Sequence, residues 1–89
     1  MRYRRTPEFT EAYKSLPDNI KQKVKKAFQL FKEDPKHPSL HTKKIQGIEG
    51  IYEGRIDKSY RFTFHYEEDT VVFRRIGPHS IIDEEASDK

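Results

Sequence analysis

Two arginines and a histidine in the C-terminal half are the side-chain types that phosphodiester chemistry needs. Arg55 and Arg61 lie in the run Ile51-Tyr-Glu-Gly-Arg-Ile-Asp-Lys-Ser-Tyr-Arg-Phe-Thr-Phe-His-Tyr66, and His79 closes the run Ile76-Gly-Pro-His79. A guanidinium offers a planar fork of donors that fits two phosphate oxygens and stays charged at any physiological pH. An imidazole titrates near neutral pH and can take or give a proton. That is the minimum equipment for cleaving RNA without a metal: the ribose 2′-hydroxyl loses a proton, charge gathering at phosphorus is neutralised, and the 5′-oxygen leaves protonated. On solvated strand faces the same three residues would be surface charge only.

Further cations lie near them in sequence. Lys43 and Lys44 precede Gly47 in a segment, residues 36–49, with no acid before Glu49. They are candidates for attracting RNA phosphates, as are Arg74 and Arg75. The latter two are adjacent, so strand alternation lets only one face a groove. His65 shares a strand face with Arg61 but lies about 13 Å further along, too far for the same phosphate. His37 and His41 lack the rigid i, i+4 spacing of a metal pair, and the chain has no cysteine. No metal site and no cofactor are expected.

These residues need elements to position them. Pro7 suits a helix first turn, Thr6 an N-cap, and Phe9, Ala12, Tyr13 and Leu16 recur on one helical face. Ser15 is a candidate cap for a second helix opening at Pro17. Ile20, Val24, Ala27, Phe28 and Phe31 recur along that helix, which should end near Asp34 because Pro35 disfavours helix before it. Residues 1–6 read as a short strand and residues 36–49 as loop. Residues 51–57, Tyr60–Glu67 and residues 70–77 read as strands joined by short turns, an antiparallel meander. The order β-α-α-β-β-β predicts an α+β domain, a helical hairpin packed on an antiparallel sheet.

The chain has 89 residues, the size of one small domain with a thin core. Hydrophobic residues make up 33% and charged residues 37%, while six Phe and five Tyr supply large buried rings. The net charge of +3 conceals an asymmetry. The last seven residues hold four acids and one base, so the rest carries 17 bases against 11 acids. We expect a single domain over residues 1–82 and a flexible acidic tail over residues 83–89. The basic body suits a polyanion or an acidic protein. Basic residues at the N-terminus have no apolar run behind them, so neither a signal peptide nor a membrane span is expected, and the location implied is cytoplasmic.

The order of elements, with Lys44-Ile-Gln-Gly47, Gly50-Ile-Tyr-Glu-Gly-Arg55, Tyr60-Arg61-Phe-Thr-Phe and Ile76-Gly-Pro-His79, resembles the RelE/ParE superfamily of toxins from type II toxin–antitoxin systems. The resemblance spans the chain to about Ile82. One branch, with RelE, YoeB and HigB, comprises nucleases that cut messenger RNA in the ribosomal A site. The other, with ParE, poisons DNA gyrase without cleavage chemistry. The resemblance therefore implies a ribosome-dependent, metal-free messenger RNA endonuclease. The alternatives are a DNA gyrase inhibitor and an attenuated member that only binds its antitoxin. In the nuclease case Arg61 and Arg55 would hold the scissile phosphate, His79 would move a proton, and Lys43, Lys44, Arg74 and Arg75 would bind RNA. The partner implied is an acidic, partly disordered antitoxin that folds as it binds. One departure stands out: family nucleases often carry a tyrosine shortly after the last strand, where this chain has Ser80-Ile-Ile-Asp83.

Overall fold

A computed structural model describes residues 1–87. β1 (Arg2–Arg5) leads into α1 (Pro7–Lys14) and α2 (Asp18–Glu33). After one 3-10 turn at Pro38–Leu40 come β2 (Lys43–Lys44), β3 (Tyr52–Arg55), β4 (Tyr60–Glu67), β5 (Thr70–Pro78) and α3 (Ile81–Ser87). The strands form one sheet in the order β1-β5-β4-β3-β2. The expected α+β arrangement is present, with two additions: β1 pairs parallel to β5, and β2 turns part of the expected loop into an edge strand.

Capping fixes α1 where the sequence placed it. The Thr6 hydroxyl accepts from the Phe9 amide at 3.1 Å and donates to the Arg74 carbonyl at 2.6 Å, which ties the start of α1 to β5. Ser15 closes α1 rather than opening α2; its amide bonds back to Ala12 and Tyr13, and α2 begins from Pro17 with no side-chain cap. The helical stripe Ile20, Val24, Ala27 and Phe31 joins Phe9 over Phe62, Phe64, Val71, Phe73 and Ile76 of the sheet. Rings dominate this core. Phe28 stacks on Phe73 with centroids 4.2 Å apart, and Phe31 meets Phe64 edge-on at 5.1 Å. Aromatic pairs of this kind supply much of the burial a small chain needs.

Gly54 shows how tightly β3 is pressed into that core. A Cβ there would lie 2.3 Å from the ring of Phe62, its cross-strand partner, which is itself fully buried. Gly54→Ala is expected to cost about 1–3 kcal/mol by overpacking. A urea unfolding midpoint unchanged from the parent would refute this.

The opposite face of the sheet is covered by α3, and here two expectations are corrected. Residues 83–87 are helical rather than a flexible tail, and the boundary expected between residues 82 and 83 falls inside α3; Asp88 and Lys89 lie outside the described residues. Ile81 and Glu85, one turn apart, are both turned inward, with Glu85 only 2% exposed. Its carboxylate accepts from the Thr63 hydroxyl at 2.6 Å, from Arg74 Nε at 3.0 Å and from an Arg75 terminal nitrogen at 2.8 Å. Adjacent arginines reach one carboxylate because β4 and β5 slip register. Thr63 pairs with Arg75 and Phe64 with Phe73, so Arg74 is the extra residue of a β-bulge. A bulge breaks alternation locally, which places both arginines on one face. Among the described residues no helix is long and apolar enough to cross a membrane.

Candidate functional site

The site is built on the sheet face opposite the helical hairpin, at its β3–β4 end. Phe62 belongs to the core, so Arg61 and Thr63 on either side of it point the other way. Arg55 is the direct cross-strand partner of Arg61, and Glu53 is the partner of Thr63. Glu53, Arg55 and Arg61 therefore share one face. With His41, Thr42, Lys43 and His79 they line a cleft of about 340 Å³. The three expected catalytic positions are brought together, and so is Lys43.

The turn between β3 and β4 holds Arg61 in place. The Asp57 carboxylate accepts from the amides of Ser59 at 2.8 Å and Tyr60 at 2.9 Å, and pairs with Lys23 of α2 at 3.1 Å. Burial opposes charge on Asp57, but those two backbone hydrogen bonds and Lys23 hold its carboxyl below the ordinary value of 3.8. Around the turn so fixed, one terminal nitrogen of Arg61 donates to the carbonyls of Asp57 (2.5 Å), Tyr60 (3.1 Å) and Lys58 (3.2 Å). One tine of the fork is spent as an anchor, and no carboxylate pairs with Arg61 among the described residues. A guanidinium held this way meets a ligand with less ordering still to do.

Arg55 carries the complementary signal. Its Nε is buried and has no hydrogen-bond partner among the described residues. A buried donor without an acceptor is costly, and two like charges directly opposite on neighbouring strands add to the cost. An anion seated between Arg55 and Arg61 relieves the repulsion of the two charges.

Glu53 is the functional candidate that sequence reasoning passed over. It is 9% exposed, and no hydrogen bond or ion pair engages its carboxylate among the described residues. Its strand neighbour across the ladder is Lys43. The signal available in the sequence was its offset of two residues from Arg55, which puts both on one strand face. His41 was weighed only as a metal ligand. It sits in the left-handed region with φ of 47°, which is uncommon for a side chain other than glycine and here turns the chain from the 3-10 turn into β2.

His79 follows β5 directly and is exposed; its carbonyl accepts from the Ile82 amide at 3.1 Å as α3 begins. Beyond it the cleft continues into a second lobe lined by Ile45, Gln46 and Ile82. Arg74 and Arg75, expected to bind RNA, are instead committed to Glu85, and Arg74 also contacts His65 Nδ1 at 2.8 Å. Lys44 flanks Lys43 on β2, opposite Tyr52, and lines the second lobe too. No cluster of three metal-ligating side chains occurs among the described residues.

No protein-family model matches the chain, and no curated protein matches it significantly. Solved structures do. A chain of the RelB-RelE antitoxin-toxin complex from Methanococcus jannaschii superposes with a TM-score of 0.73 at 23% identity, over 92% of this chain and 96% of that one. YafQ from Escherichia coli superposes with a TM-score of 0.76 at 14% identity, over 92% and 98%. The YoeB dimer from Staphylococcus aureus gives 0.68 at 23% identity, over 89% and 97%. With β1 beside β5, a hairpin of helices on one face and a cleft on the other, this chain has the fold of the RelE, YafQ and YoeB toxins.

Proposed function

We propose that the chain is the toxin of a type II toxin–antitoxin system and cleaves messenger RNA without a metal. The observation that carries this reading is the directly opposed pair Arg55 and Arg61, facing one cleft with a nearly buried, unengaged carboxylate and an exposed imidazole.

The scissile phosphate sits between the two guanidiniums, which donate to its non-bridging oxygens. Glu53 takes the proton of the ribose 2′-hydroxyl. The 2′-oxygen attacks phosphorus, forming a 2′,3′-cyclic phosphate, and the bond from phosphorus to the 5′-oxygen breaks. His79 gives a proton to that departing oxygen. The two arginines neutralise the extra charge on the phosphoryl oxygens as it develops. Lys43 and Lys44 hold flanking phosphates. The target is messenger RNA on the ribosome, which places the protein in the cytoplasm. Its partner when silent is an acidic antitoxin, consistent with the basic body; the RelE of Methanococcus jannaschii and the YafQ of Escherichia coli were both solved with an antitoxin.

Inducible expression in bacteria, with messenger 5′ and 3′ ends mapped alongside growth, tests this. Growth arrest with cuts inside translated codons and cyclic phosphate ends is expected. Glu53→Gln, close to isosteric, should slow cleavage by about 10²-fold, the lower end for loss of a general base. Arrest with intact messenger and damaged DNA would replace the nuclease with a gyrase inhibitor. Harmless expression of a folded chain would leave an attenuated antitoxin binder.

A further inference from the structure

A second groove lies on the hairpin side of the sheet, at the β2 edge, with a volume of about 700 Å³. Three aromatic rings form its wall. Tyr52 stacks on Phe64 with centroids 5.4 Å apart, and Tyr66 meets Tyr52 edge-on at 5.5 Å. Phe64 is buried, but Tyr66 is 43% exposed, one of only two large hydrophobic side chains so exposed among the described residues. Packing against Tyr52 and Phe64 orients the ring while leaving part of it open to solvent. Burial and the neighbouring tyrosines Tyr52 and Tyr3 push the Tyr66 hydroxyl above its ordinary value of 10.0, so the ring stays neutral.

The other wall carries three lysines. Lys36, Lys43 and Lys44 line it with His37 and His41, against one acid, Asp34, whose carboxylate accepts from the Lys36 amide at 3.1 Å. Exposed aromatic faces beside lysines are the combination that binds single-stranded nucleic acid: bases stack and phosphates pair. The groove also adjoins the cleft. His41, Thr42 and Lys43 line both, so the cleft and the groove meet across the β2 edge.

We propose that this groove binds the single-stranded RNA flanking the scissile phosphate, with Tyr66 as a stacking platform for a base and Lys36 and Lys44 on its phosphates. The inference rests on the nuclease reading and extends it: the chain holds its substrate on both sides of the β2 edge.

The probes are two 2′-O-methyl RNA oligonucleotides that resist cleavage, a trimer spanning the cleft and a decamer long enough to reach the groove, read by fluorescence anisotropy. The decamer is expected to bind at least tenfold tighter. Tyr66→Ala should cost the decamer about tenfold, the loss of one base stack, and leave the trimer unchanged. Tyr66→Phe, which keeps the ring, should restore decamer affinity and serves as the control for folding. Equal decamer affinity for the parent and Tyr66→Ala overturns the groove. In that case trimer binding lost in Arg61→Ala would leave the cleft reading standing. Failure of both oligonucleotides to bind the parent would remove the groove, while the cleft reading stands or falls on the mapped messenger ends. A groove that instead captures a protein partner would show no Tyr66 dependence with RNA.

Discussion

Arg61→Ala is expected to lower messenger cleavage by about 10³-fold and to abolish growth arrest, while the protein stays folded. A single donor aimed at developing charge is worth about 10²–10³ in rate, and Arg61 offers the part of its fork not spent on the turn. The loss to stability should be small. The side chain is half-buried, and the three carbonyls it serves belong to a turn that Asp57 and Lys23 hold independently. Net loss of such bonds costs about 1 kcal/mol. Arg61→Lys should fall between, because one ammonium can anchor to the turn or reach the phosphate but does not span both. Primer extension on ribosome-bound messenger, with thermal unfolding of each variant, checks both halves. Unimpaired cutting by a folded Arg61→Ala protein would take Arg61 out of the chemistry.

Glu85→Ala should have the largest effect on stability, about 3 kcal/mol. The substitution removes the buried carboxylate that Arg74 and Arg75 share, leaving Arg75 the exposed Glu84 at 3.9 Å, and leaves the buried Thr63 hydroxyl without its acceptor. Breaking a buried pair by removing one partner costs several kcal/mol, somewhat less where the cations keep some solvent. The expected fall in melting temperature is roughly 12–24 °C for a chain of this size. The acid limb of stability should change too. Burial by itself would raise the Glu85 carboxyl, but hydrogen bonds from Arg74 and Thr63, with the charges of Arg74 and Arg75, hold it below the ordinary 4.5. A carboxyl lowered in the folded state stabilises fully above its unfolded value and loses that contribution as pH falls through the lower, folded one. The parent should therefore weaken on acidification below about pH 4.5, and the variant should weaken less over the same window. Urea titrations at several pH values give both curves; parallel curves would remove Glu85 as the source.

The helices were legible because their apolar residues recur at 3.6-residue spacing and Thr6 and Pro7 mark a start that local chemistry alone determines. The three central strands were legible from alternation between short turns. Three features depend on contacts distant in sequence, and no local pattern reports them. β1 pairs with β5 only once the chain has folded back. The Arg74 bulge is a slip between two strands that each look regular, so alternation predicted the wrong facing for one arginine. α3 is acidic and has few apolar residues. Its composition resembles a solvated tail, and what docks it, Ile81 turned onto the sheet and the two arginines beneath Glu85, is not visible in its local sequence. For the site, Arg55 and Arg61 were legible as arginines on neighbouring strands, Lys43 as a loop cation and His79 as an imidazole just past the last strand; that all four line one cleft was not. Glu53 was not, since a lone acid beside arginines reads as a counter-ion until its burial in the same cleft is seen.

The parallel pairing of β1 with β5 has a consequence for the order of events during synthesis. Arg2 meets Thr70, so the first strand stays unpaired until nearly the whole chain exists. The helical hairpin is made early, yet most of the surface it packs on (Phe62, Phe64, Val71, Phe73 and Ile76) arrives late. Closing so long a loop is entropically slow, and it gains little before β5 is present. Glu85, which offsets Arg74 and Arg75, comes later still. A nascent chain on the ribosome is thus a basic, open polymer with no assembled cleft. The cleft is complete only at the end of the chain's own translation, once β5 and α3 have been made.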